Sequence, residues 1–151
     1  GRSFRLDIRE DPGRRMPKVR LSGFDLMVVT PKPDPEAVRE ALDHWYRRQT
    51  RLVVLDRIEY FAPRVGAQPA AVRIRGGVGR WAVRSGQGEL AFDERLITAP
   101  SHVVDCIVAH ALCQLVESPR NGRFWARLGA VLPDYRVRMA WLLDHADRLD
   151  G

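Results

Sequence analysis

Ser101-His102-Val103-Val104-Asp105-Cys106-Ile107-Val108-Ala109-His110-Ala111-Leu112-Cys113-Gln114 is the stretch on which the architecture turns. Val103, Val104, Ile107, Val108, Leu112 and Leu115 recur at helical spacing after an opening Pro100-Ser101, so a helix to about Glu117 is expected. Its apolar stripe is wide, which predicts burial on most sides. Ser118-Pro119 closes the segment. Towards the C-terminus, a short helix is expected around Phe124 to Val131. Leu132-Pro133-Asp134 breaks it, and a last helix runs through Tyr135, Met139, Leu142 and Leu143.

Towards the N-terminus lie three short β segments, Ala71 to Arg75, Arg80 to Arg84 and Glu89 to Phe92. Gly76-Gly77 and Ser85-Gly86-Gln87-Gly88 separate them. Their spacing is not that of a phosphate-binding loop and no Lys follows, so they read as turns. A long helix precedes them, with Asp34 as N-cap and Pro35 at the first helical position. Val38, Leu42, Trp45, Gln49, Leu52, Leu55 and Ile58 trace its apolar stripe, with Val53 alongside; Pro63 and Gly66 stop it. Before that helix, Phe4, Leu6 and Ile8 alternate with Arg5, Asp7 and Arg9 in a strand from Ser3 to Arg9. Lys18 to Leu21 and Phe24 to Thr30 read as a hairpin. Strands thus cluster ahead of each helical block. This predicts an α+β fold, with a small, mostly antiparallel sheet against the long helix and the 101–117 helix, and further helices at the C-terminal end. No repeat or linker divides the chain, so one domain over 1–151 is expected.

Composition agrees. With 151 residues, 45% hydrophobic and 29% charged, the chain can bury a core without staples. No run approaches the roughly 20 apolar residues of a membrane span, and Gly1 to Leu6 lacks the apolar stretch of a signal peptide. Cys106 and Cys113, seven apart on one helix, lie about 10 Å from each other, too far for a disulfide. A reducing, cytoplasmic setting without membrane partners is expected. The net charge of +6 would attract phosphates or nucleic acid.

Several blocks in order resemble the YgjP-like (SprT-like) zinc metallopeptidases. Asp34-Pro35-Glu36-Ala37-Val38 with Trp45-Tyr46-Arg47-Arg48 looks like that family's first core helix. Val72-Arg73-Ile74-Arg75 with Arg80-Trp81 is similar to the strand entering its Arg-Trp-Gly-Ser-Cys motif. Leu96-Ile97-Thr98-Ala99-Pro100, then Val104 to His110, resembles the approach to its zinc helix. Arg123-Phe124-Trp125, Pro133-Asp134-Tyr135-Arg136 and Trp141-Leu142 look like its closing motifs. The resemblance runs from about residue 3 to 145; the family's usual first β segment has no counterpart here.

The resemblance implies a zinc held by His-Glu-x-x-His on a helix plus a third His in the next loop, with the Glu as general base. This sequence departs from that set. His110 matches the first ligand, Ala111 stands at the general-base position, Gln114 replaces the second His, and Arg120 falls at the third ligand. Ala82, Val83 and Arg84 follow Trp81 where the family has Gly-Ser-Cys. A methyl group accepts no proton, and an amide and a guanidinium are poor zinc ligands. No catalytic residue, metal or other cofactor is therefore expected, and the chain reads as a pseudoenzyme serving as a binding module for a protein, a nucleic acid or an anionic ligand such as a nucleotide phosphate. Arg84, Arg120 and Arg80 are candidate anion-binding residues in the former cleft, with bonds from Gln114 and His110. The alternative is a metal-dependent hydrolase, acting on peptides or nucleotide phosphates, rebuilt around His110 with Cys113 and Glu117. His102, Cys106, His110 and Cys113 share a stripe, but it spans about 16 Å and cannot serve one ion. Trp45, Trp81, Trp125 and Trp141 are expected to pack; His44 and His145 are expected in solvent.

Overall fold

A computed structural model describes residues 4–78 and 80–144; Ser3 and His145, named above, lie outside them. Six strands and four helices follow one another: β1 (Arg5–Glu10), β2 (Lys18–Ser22), β3 (Asp25–Thr30), α1 (Pro35–Val65), β4 (Ala71–Arg75), β5 (Ala82–Ser85), β6 (Glu89–Asp93), α2 (Ser101–Cys113), α3 (Gly122–Val131) and α4 (Tyr135–Asp144). The class is α+β, as the clustering of strands predicts.

The sheet differs from the expected one. There are two three-stranded sheets, ordered β1-β3-β2 and β4-β6-β5. In each, the local hairpin is antiparallel while the first strand pairs parallel to the third, Ile8 beside Val28 and Ile74 beside Phe92. Turn signals between neighbours reveal the hairpins. The parallel pairings join strands distant in sequence and leave no local trace.

Asp34 caps α1 by accepting from the Glu36 N–H at 3.2 Å. The helix passes through Pro63, which forfeits one backbone bond in the last turn, and stops at Gly66. There φ is 81°, a left-handed conformation that favours glycine, and the Gly66 N–H closes on the Ala62 carbonyl at 2.8 Å. The buried stripe of α1 is Val38, Trp45, Tyr46, Thr50, Val54, Ile58, Phe61, Ala62 and Val65. The sequence stripe strays after Trp45: Leu52 and Leu55 are exposed. Thr50 takes the inward place because its hydroxyl donates to the Glu94 carbonyl at 2.7 Å, so this polar side chain is buried without an orphaned group.

Ion pairs fasten α1 to its neighbours. Arg57 Nε donates to Asp105 Oδ1 at 2.7 Å, tying α1 to α2, while its guanidinium lies over the Tyr60 and Phe61 rings. Arg95 reaches Asp43 at 2.7 Å. Arg47 reaches Glu94 at 3.1 Å, and that carboxylate fills the space beside Gly76, where an added Cβ would come within 2.7 Å of it. The main core gathers Val54, Ile58 and Phe61 of α1, Leu90 and Phe92 of β6, the apolar body of α2, and Phe124 and Leu128 of α3. Each such side chain contributes on the order of 2 kcal/mol by leaving water.

Candidate functional site

α2 is the centre of the fold. Val103 and Val104 donate to the Pro100 carbonyl to start it, and nine of its thirteen residues are buried, which seals it on most sides. It ends at Cys113, four residues before the expected Glu117. Gln114 is its C-cap, and Leu115, Val116 and Glu117 continue only in tight turns back to Leu112 and Cys113. Pro119 follows directly, and a residue ahead of proline leaves the helical region.

His110 lies on the last turn. Its ring meets the Phe124 ring at 4.9 Å and the Trp125 ring at 5.9 Å, both nearly edge-on. Trp125 stacks on Tyr135 at 5.6 Å and donates its indole N–H to the Pro119 carbonyl at 2.8 Å. The aromatic group therefore pins the loop that carries Arg120. Burial lowers the His110 pKa and keeps the imidazole neutral. Burial also pushes the Cys106 and Cys113 thiols up to about 11, so both stay protonated near neutrality. A cavity of about 160 Å³ adjoins His110, lined by Trp81, Cys106, Ile107, Met139 and Leu142 among others. The buried Trp81 indole N–H has no hydrogen-bond acceptor among the described residues.

The other residues singled out in the sequence lie as follows. Ala111, at the general-base position, is 1% exposed and belongs to the apolar core. The Gln114 N–H bonds to the His110 carbonyl at 3.1 Å, and its own carbonyl accepts from Arg84 at 3.2 Å. Arg84 is thus a cation on the negative end of α2. Arg120 is exposed on the Ser118–Asn121 turn, its N–H on the Ser118 hydroxyl at 3.3 Å. Arg80 is exposed ahead of β5. Glu89, Asp105 and Glu117 pair with other arginines: Arg73, Arg57 and Arg123. Among the described residues, no three His, Cys, Asp or Glu side chains converge where they could hold a metal ion. His110, Cys113 and Glu117 are therefore not assembled into a ligand set. Trp45 and Trp81 are buried, Trp125 and Trp141 pack against the core, and His44 is exposed.

The family model of the YgjP-like metallopeptidase domain matches residues 1–145. The chain belongs to the YgjP-like family. No curated protein matches. Among solved structures, the crystal structure of the metallopeptidase zymogen of Pyrococcus abyssi abylysin is similar, with a TM-score of 0.50 and 24% identity over 60% of this chain and 95% of that one. At that identity the likeness speaks for the fold. No helix is long and apolar enough to cross a membrane among the described residues.

In this YgjP-like chain α2 is sealed in the core, and two aromatic rings edge its His110. Sequence reasoning missed the aromatic contacts around His110. Phe124, Trp125 and Tyr135 were legible as motif residues. The approach of Phe124 and Trp125 to His110, with Tyr135 stacked behind Trp125, needs the turn at Ser118–Asn121, which sequence periodicity does not encode.

Proposed function

We propose that this chain is a catalytically inactive member of its family that serves as a binding module. The observation that carries the reading is the state of the α2 end: one neutral imidazole edged by two aromatic rings, beside a methyl group sealed in the core. A catalytic zinc takes three protein ligands and keeps an open position for water. The candidate donors here are one His, two buried thiols, an amide and the Glu117 carboxylate, which is paired with Arg123; among the described residues no three His, Cys, Asp or Glu side chains come together, and an amide is a poor ligand for that ion. Nor is there a carboxylate at the base position to take a proton from water. The anion reading of the former cleft has weaker support, because Arg84 is engaged on the Gln114 carbonyl.

Metal analysis of the purified chain tests this. Zinc well below one ion per chain, unchanged in His110→Ala, is the expected result, together with no hydrolysis of an unfolded protein substrate. Stoichiometric zinc that disappears in His110→Ala, with peptide or nucleotide phosphate hydrolysis, would establish the rebuilt hydrolase instead.

A further inference from the structure

We infer that the groove between the β1–β2 loop and the first half of α1 binds the phosphate backbone of a double-stranded nucleic acid. The groove encloses about 1050 Å³ and lies away from α2. Its floor is one stripe of α1, where Ala37, Ala41, His44 and Arg48 recur at intervals of four, three and four. The two alanines keep that floor open. Its wall is the loop and the start of β2, carrying Arg14, Arg15 and Lys18. Four permanent cations thus line a space whose single carboxylate is Glu40.

These charges are available. Among the described residues, Arg15, Lys18 and Arg48 have no carboxylate partner, and all three are exposed. They contrast with Arg47, Arg57 and Arg95 of the same region, each tied to an acid. The loop is also held in shape. Asp11 accepts from the Gly13 N–H at 3.1 Å, and Arg14 Nε donates to the Met16 carbonyl at 3.3 Å. Pre-set cations lose less entropy on binding.

The chemistry favours a phosphodiester strand. From Ala37 to Arg48 the floor runs about 16 Å, long enough to follow a short run of phosphates on one strand, whose charges recur about every 3.4 Å along the duplex axis. Guanidinium groups match phosphate oxygens in pairs. The lining holds no Phe, Tyr or Trp, so bases of a single strand would find no stacking platform. A bilayer is flat and does not follow a concave groove. The assignment does not depend on whether His110 holds a metal.

Fluorescence anisotropy with a labelled DNA duplex of mixed sequence tests it. The parent chain should bind without sequence preference. Four neutralised phosphates predict a loss of about 100-fold in affinity between about 50 and about 200 mM salt. Arg15→Glu/Arg48→Glu should lower affinity by about 100-fold or more at low salt, while Arg75→Glu/Arg136→Glu, a change of the same charge at exposed positions outside the groove lining, binds like the parent. The milder Arg15→Gln/Arg48→Gln pair should fall between, and decides the matter if charge reversal impairs folding. Binding that ignores the groove variants, or that ignores salt, overturns the inference. So does failure to bind duplex while vesicles of phosphatidylserine and phosphatidylcholine are bound.

Discussion

The two sheets share one strand order yet end in different states. Around the second, the residues of β6 from Leu90 to Phe92 are fully buried. In the first, Leu26 and Val28 of β3 are buried to the same degree, but Leu6 and Ile8, beside them on β1 and on the same face, are 47% and 43% exposed. The cause is coverage. A helix is about 10 Å wide and strands sit about 4.8 Å apart, so one helix covers about two strands. The second sheet packs against a core built from α1, α2 and α3; the first has α1, with Ile97 alongside it. The same contrast runs through the polar residues. At the end of α2 the His110 ring is edged by aromatic side chains, whereas Arg15, Lys18 and Arg48, exposed and without a carboxylate partner among the described residues, line the groove beside the first sheet.

The contrast breaks first at Phe124. Its ring is fully buried and lies between α2, the His110 ring and Trp125. Phe124→Ala should cost about 4 kcal/mol, measured by urea denaturation. A loss near 1 kcal/mol would mean that the aromatic group around His110 is loosely packed, as a working cleft would be. Next is Ala111→Glu, which puts a carboxyl where the resemblance expects the general base. A carboxyl placed at a 1% exposed position should cost about 3 kcal/mol, the low end for a stranded buried charge because it can take a proton. A variant that unfolds at the parent's urea concentration would show that water reaches this side of α2.

Much of this was legible in the chain, for identifiable reasons. Asp34-Pro35 and Gly66 mark the ends of α1 because caps act within a few residues. His110, Ala111 and Gln114 stood out because motif spacing is local. Thr50 was missed since its burial depends on the Glu94 carbonyl 44 residues away. The C-terminal end of α2 was overrun because Leu115 continues the apolar periodicity while Pro119 and the Gln114 cap end the helix. The groove escaped notice because Arg14, Arg15 and Lys18 meet Arg48 only when β2 folds beside α1. Its floor residues read in sequence as an ordinary solvated helix face.

A third test uses pH. Cys106 and Cys113 titrate near 11 in the folded chain, against an ordinary value of 9.0. Between those values the unfolded chain has released both thiol protons and the folded chain has kept them. Stability from these groups is therefore full below about 9 and falls as pH rises towards about 11. Urea titrations across that window should show a steeper decline for the parent than for Cys106→Ala/Cys113→Ala. Equal slopes would mean that the thiols reach water in the native state, contrary to a sealed α2.

The smallest effect is expected at Ile8. In a sheet covered on its core face, replacing Ile with Thr removes buried apolar area and costs well over 1 kcal/mol. Ile8 sits on the core face by its pairing with Val28, so sequence alternation alone assigns it that cost. The structure assigns it much less, because β1 is an edge strand beyond the reach of α1 and the side chain is already 43% exposed. Thr keeps the β-branched shape that suits a strand. Ile8→Thr should therefore change the urea midpoint by no more than about 0.5 kcal/mol equivalent. A loss above about 1.5 kcal/mol, approaching that of a buried Ile, would mean that something covers β1 in solution, and the contrast between the sheets would then belong to the isolated chain alone.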